Sequence, residues 1–259
     1  MCISGAGCPC QGFRQRLGRG PAAGAASTGW EAESLSYRNL DILAEHGFVV
    51  LQDYAGRVPP GEWERLEYVD WKSGGDTEFA PLASATGEVD CRPFSDFDLP
   101  DKGGVWTRNA ALCPTLVRYV ESVGAGYGRV RVIKLHPCSE QDAYGNLHLD
   151  ESNNLLNPEG AGWVVRSWLE LVDGPATQFI LREDLTDPAT ETRIPLHAGM
   201  QVVIDSQRLH HIVYHPHAAP RYALMTSWES GDALERWVEE RLPPPDERPT
   251  ARQAAVRIR

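Results

Sequence analysis

From Val130 onward the chain is a succession of short apolar runs separated by turn residues. Val130, Val132 and Leu135 open one run, and His148 to Asp150 closes the next. Trp163 to Val172 is a long run, followed by Gln178 to Leu181, Thr192 to Pro195, Gln201 to Ile204, Leu209 to Val213 and Arg221 to Trp228. About eight such strands, spaced by turns, predict a mainly β protein with flanking helices, folded as a jelly roll or double-stranded β-helix.

Ahead of these strands the period changes. Leu40, Ile42 and Leu43 predict a helix that ends at His46-Gly47, where glycine suits a left-handed cap, and Phe48 to Leu51 reads as a buried strand. Pro59-Pro60 introduces GEWERLEYVDW, in which Trp63, Leu66 and Val69 are spaced to line one helical face. Residues 73–105 lack a steady period and read as a long loop, of the kind that forms a lid or substrate wall. Asn109 to Val123 repeats Leu112, Leu116, Tyr119 and Val120 at helical spacing, so this helix should back onto a sheet. A last amphipathic helix over Asp232 to Arg241 is stopped by Pro243 to Pro245.

These patterns imply one folded domain over residues 30–241. Residues 1–29, rich in Gly, Ala, Ser and Arg, cannot offset their ordering entropy by burial and read as a disordered tail. Residues 242–259 form a second polar tail. At 259 residues and 42% hydrophobic content the chain can build a substantial core. A formal net charge of −11 should repel polyanions, so no nucleic-acid partner is expected. There is neither an apolar run long enough for a membrane span nor a secretory leader pattern. Of six cysteines, Cys2, Cys8 and Cys10 crowd into the tail, while Cys91, Cys113 and Cys138 are scattered. No disulfide framework follows, and a cytoplasmic protein is expected. Cys8-Pro-Cys10 lacks a matching cluster for a metal site.

The candidate chemistry centres on His148-Leu149-Asp150. In extended chain His148 and Asp150 project to one side and Leu149 to the other. An imidazole beside a carboxylate makes up two-thirds of a 2-His-1-carboxylate iron site, and a second histidine is available in RLHHIVYHPH. His210 and His211 face opposite ways on a strand, and polarity does not decide between them. His215 and His217 flank Pro216 in a turn and read as surface or pocket-rim residues. Arg221 follows His211 by ten residues and opens the next strand.

The ordered set of HLD, a later H-x-V and an arginine opening RYAL resembles the Fe(II)/2-oxoglutarate-dependent oxygenases, most closely the prolyl-hydroxylase-like branch. The resemblance covers roughly residues 129–229, with a weaker echo at GFVVL. It implies metal ligation by His148, Asp150 and His211, the H-x-V pattern favouring His211 over His210. It implies that Arg221 grips the far carboxylate of 2-oxoglutarate, a task suited to a planar two-pronged cation. The family's aromatic hydroxyl ahead of H-x-D is missing: His136 stands near its position and Tyr144 lies a little downstream, so these two are the candidates to assist.

The implied reaction couples decarboxylation of 2-oxoglutarate by O2, at Fe(II), to hydroxylation of an unactivated C–H bond in a small molecule such as an amino acid or biosynthetic intermediate. Asp150 argues against chlorination, since a halide position needs a small residue there; desaturation and cyclisation stay open. Arg166, inside WVVRSWLEL, should pair with an acid such as Glu170 or bind an acidic group of the substrate. Asn153, Asn154, Trp163 and Trp168 are further candidates for the pocket wall. Two other readings are a cupin-type metal enzyme without 2-oxoglutarate and a non-catalytic jelly-roll binding module.

Overall fold

The structure is a computed structural model that describes residues 40–70, 77–150 and 164–244. These residues belong to one compact unit, Ser36–Arg259. The expected N-terminal tail and residues 245–259 of the C-terminal one lie outside the described residues, as do Cys2, Cys8 and Cys10, while Leu242 packs against the core.

Among the described residues, eleven strands and four short α-helices follow in order. β1 is Phe48–Leu51, α1 Gly61–Glu64, β2 Val69–Asp70, β3 Thr77–Ser84 and β4 Val105–Trp106. Next come α2 (Pro114–Val123), β5 (Tyr127–Leu135), α3 (Glu140–Gly145), β6 (Val164–Glu170) and β7 (Gln178–Arg182). β8 (Glu191–Pro195), β9 (Gln201–Ile204), β10 (His210–Tyr214), β11 (Arg221–Glu229) and α4 (Asp232–Glu239) complete the set.

The strands form two sheets. The larger runs β1-β9-β6-β11-β5-β3-β2, with β4 against β3, and the smaller runs β10-β7-β8. A bridge between His148 and His211 lays the H-x-D segment along the free side of β10. From β5 onward the chain passes repeatedly between the two sheets, and all pairings are antiparallel. That is the winding of a double-stranded β-helix, as the strand pattern predicts.

The large sheet is covered on both faces, which explains its near-continuous apolar runs. On one side Val130, Val132, Leu169, Val203, Leu224 and Trp228 share a core with Leu116 and Val120 of α2 and Leu234 and Trp237 of α4. On the other, Trp168, Val202, Ile204, Ala223 and Met225 meet Phe179, Leu181 and Val213 of the small sheet. This second layer surrounds the polar site.

Several expected elements differ. The first helix is a single 3-10 turn, Asp41–Leu43, although Gly47 does take a positive φ of 70°. The helix after Pro60 ends at Glu64, and Val69 lies in a strand. The expected loop 73–105 contains β3, eight residues paired between β5 and the short strands β2 and β4. Pro81 and a register shift at Pro81/Ala83 break its alternation, which hides it in the sequence. The expected helix from Asn109 is divided: a 3-10 helix, Arg108–Leu112, precedes α2, which starts at Pro114. No continuous strand ends at Asp150. Instead α3, capped by the Ser139 hydroxyl on the Asp142 amide, leads into the isolated bridge.

Candidate metal centre and its cavity

His148, Asp150 and His211 converge. One potential ligand atom from each lies within 4.8 Å of the others. Backbone bonds impose this arrangement. His211 N–H donates to the His148 carbonyl at 2.9 Å, and Asp150 N–H donates to the Ser206 carbonyl, also at 2.9 Å. A segment from before β6 is thereby fastened to β10 and to the turn that precedes it. His211, rather than His210, faces the pair, and its ring centroid lies 4.6 Å from that of His148.

The hydrogen bonds also assign the tautomers. His148 Nδ1 lies 2.8 Å from the Asn146 carbonyl, and His211 Nδ1 lies 3.1 Å from the Leu209 carbonyl. A carbonyl only accepts, so each Nδ1 carries the proton and each Nε2 presents a lone pair. Burial lowers the His211 imidazole to about 4, keeping it neutral near pH 7. His211 Nε2 then points a lone pair at Asp150 Oδ2 from 3.4 Å. Two acceptors so placed repel each other unless a cation joins them, and the donor set of two imidazoles and one carboxylate fits Fe(II).

Behind Asp150 stands Arg166, whose Nη1 lies 2.5 Å from Oδ2. Burial acts to raise the Asp150 carboxyl, but Arg166 foremost holds it well below the usual carboxylate range. The expected partnership of Arg166 with Glu170 is therefore replaced by one with Asp150. Residues 166 and 170 lie on the same face of β6 but about 13 Å apart along an extended strand, and each has a nearer partner, Asp150 for Arg166 and Arg221 for Glu170.

The ligands open onto a cavity of about 490 Å³ between the sheets. Its walls include Arg129, Arg131, Ile133 and Leu135 of β5, Trp168 and Phe179, and Thr77 and Phe79 of β3. The expected substrate wall after residue 73 is thus supplied by a strand. Arg221 lines the cavity too, but its fork is braced: Nε donates to Glu170 Oε2 at 2.8 Å and Nη2 donates to Oε1. Both residues are 2% exposed.

The structure brings other candidates elsewhere. His136 sits against Glu78, and the Tyr144 hydroxyl donates to Glu191 beside Arg193; neither lines the cavity. Position relative to H-x-D along the chain does not put them near 2-oxoglutarate's expected place, because α3 carries Tyr144 away toward β8. His215 is not a rim residue: it is buried, bonded to the Thr177 hydroxyl and the Ala219 carbonyl. Asn153, Asn154 and Trp163 lie outside the described residues. The described cysteines, Cys91, Cys113 and Cys138, are free thiols.

Two charged cavity residues escaped the sequence reading. Arg129 and Arg131 alternate with Val130 and Val132, so a strand that buries both faces must bury the arginines. That alternation was the available signal.

No family model matches the chain, and no curated protein does. Among solved structures, it is similar to a 2OG-Fe(II) oxygenase family oxidoreductase from Burkholderia pseudomallei, at 17% identity and a TM-score of 0.44, over 74% of this chain and 89% of that one. It is also similar to a Trichoplax adhaerens prolyl hydroxylase in complex with a hypoxia-inducible-factor peptide, at 13% identity and a TM-score of 0.45, over 78% and 91%. A third is the non-haem α-ketoglutarate-dependent epimerase SnoN of nogalamycin biosynthesis, at 17% and 0.38, over 82% and 90%. Superpositions this loose do not define the fold; the strand order does. Among the described residues no helix is long and apolar enough to cross a membrane.

Proposed function

We propose that the protein is an Fe(II)/2-oxoglutarate-dependent oxygenase that hydroxylates an unactivated C–H bond of a small molecule. One observation carries this reading: two imidazoles and one carboxylate converge in the wall of a cavity that Arg221 also lines. His148, Asp150 and His211 would hold the metal on one face, leaving positions for cosubstrate and oxygen. When bound, iron would allow O2 to act as the oxidant, one oxygen atom going into succinate as 2-oxoglutarate loses CO2 and the other into the hydroxylated C–H bond.

The chain's own residues do the rest. Asn146 and Leu209 carbonyls fix the imidazole tautomers, and Arg166 orients Asp150. Glu170 occupies Nε–H and one N–H of Arg221 Nη2, which leaves the second Nη2–H and the two Nη1 hydrogens for the far carboxylate of 2-oxoglutarate. Trp168 and Phe179 pack edge-on against His211, at centroid distances of 5.7 and 6.2 Å, and keep water from that side of the centre.

The braced fork also favours a second reading, a jelly-roll metal enzyme that does not use 2-oxoglutarate. One titration separates the two. Adding 2-oxoglutarate to the Fe(II)-loaded protein without oxygen should produce a weak visible charge-transfer band. Iron binding with no such band would favour the second reading.

A further inference from the structure

A guanidinium offers a carboxylate two edges: a side edge made by Nε and one Nη2 hydrogen, and an end edge made by the other Nη2 hydrogen and Nη1. In Arg221 the side edge is taken, with Nε donating to Glu170 Oε2 at 2.8 Å and Nη2 donating to Oε1. The backbone fixes Glu170 in that place. Its N–H donates to the Met200 carbonyl at 3.0 Å, and its carbonyl accepts from Gly199 N–H at 2.9 Å. A carboxylate arriving at the end edge from the cavity therefore meets a cation whose charge Glu170 already offsets.

Two carboxylates on adjoining edges of one guanidinium lie about 7 Å apart by hydrogen-bond geometry. At an effective dielectric of about 20, their repulsion raises the proton affinity of one of them by more than about tenfold. Glu170 is the group predisposed to respond: burial raises its carboxyl above the ordinary 4.5, with Arg221 opposing the shift. Ala223 lies opposite Glu170 in the strand register and Leu135 opposite Arg221, so both neighbours are apolar. Two histidines also act on the pair. His215 Nε2 donates to the Ala219 carbonyl at 2.7 Å while Nδ1 accepts from the Thr177 hydroxyl at 2.9 Å, and burial lowers this imidazole, keeping it neutral. His197 is exposed and lies 2.9 Å from the Asp53 carboxylate.

We infer, on the oxygenase reading given above, that Glu170 is the proton-carrying residue of the cosubstrate site: as the far carboxylate of 2-oxoglutarate settles on the end edge of Arg221, one Glu170 oxygen takes a proton from solvent. The filled site then holds a neutral carboxylic acid, a guanidinium and one carboxylate, so the arginine serves a single negative charge before and after binding. Binding coupled to the uptake of one proton weakens up to tenfold for each unit that the pH rises. A 2-oxo acid without a far carboxylate does not reach Arg221 and should bind without this pH dependence.

The test is calorimetric titration of the full-length, Zn(II)-loaded protein, between about pH 6.5 and 8, in pairs of buffers that differ in ionisation enthalpy; the difference within a pair counts the protons exchanged. The ligands are 2-oxoglutarate and 2-oxobutanoate, which share the metal-chelating end and differ in the far carboxylate, so protons exchanged at the metal cancel between them. 2-Oxoglutarate should take up about half a proton or more beyond 2-oxobutanoate at the lower pH. E170Q, which mimics the protonated side chain, should remove that uptake and bind 2-oxoglutarate at least as tightly as wild type, with an affinity that no longer falls as the pH rises. Should E170Q fail to fold, the two ligands on wild-type protein decide. Equal proton counts for the two ligands, or an uptake that survives in E170Q, as it would if His197 took the proton, would overturn the inference alone. Failure of 2-oxoglutarate to bind the Zn(II) protein at all would reject the oxygenase reading and the inference with it.

Discussion

Arg221 and Glu170 form a two-pronged ion pair that is almost wholly sealed from solvent at one end of the cavity. The arginine therefore has a structural duty besides any ligand it holds. Truncating it would leave a buried carboxylate without compensation. R221A should accordingly destabilise the fold by about 3–5 kcal/mol, measured by chemical denaturation, and R221A/E170Q should recover part of the loss. Equal stability of R221A and wild type would show that the pair is not buried as described.

Metal binding should follow ring orientation rather than position in the HH pair. H211A, H148A and D150A should each lose more affinity than the roughly 10–100-fold typical of supporting residues, whereas H210A should stay near wild type. Titration with Mn(II) under calorimetry checks this. An H210A protein as impaired as H211A would reverse the assignment.

Arg166 touches Asp150 from behind the metal, so its removal should act through that carboxylate. R166Q is expected to weaken Mn(II) binding by roughly 10–100-fold without abolishing it. The Mn(II) electron paramagnetic resonance spectrum should also change, which a purely structural role would not produce.

Acid should undo the Asp101–Arg129 pair. Burial alone would raise the Asp101 carboxyl, but Arg129 overrides it and holds it below its ordinary value of 3.8. The folded state thus binds fewer protons than the unfolded state just below that value. The pair's stabilisation is complete above about pH 4 and is lost as pH falls through the folded value. D101N should be less stable than wild type by about 3–5 kcal/mol near neutrality, and the gap should close in acid. Denaturation curves at pH 7 and pH 3 test this; a gap independent of pH would contradict it.

The strands from β5 to β11 were legible because turn residues bracket apolar runs, and because HLD and HHIVY carry side chains of distinctive chemistry. β3 was not, since Pro81 and its bulge remove the alternation that marks a strand. α3 was hidden in a polar stretch, although Ser139 and Asp142 form a helix-start signature. The partners of the arginines were beyond reach. Whether Arg166 meets Glu170 or Asp150 depends on how far the H-x-D segment reaches across the sheets, which no local pattern encodes.

The central claim is that His148, Asp150 and His211 share one metal ion. Crystals prepared with Fe(II) under anaerobic conditions and measured at the iron absorption edge test it most directly. A single anomalous peak within bonding distance of both Nε2 atoms and an Asp150 oxygen is the predicted result. No peak there, or iron held by other residues, would contradict the account.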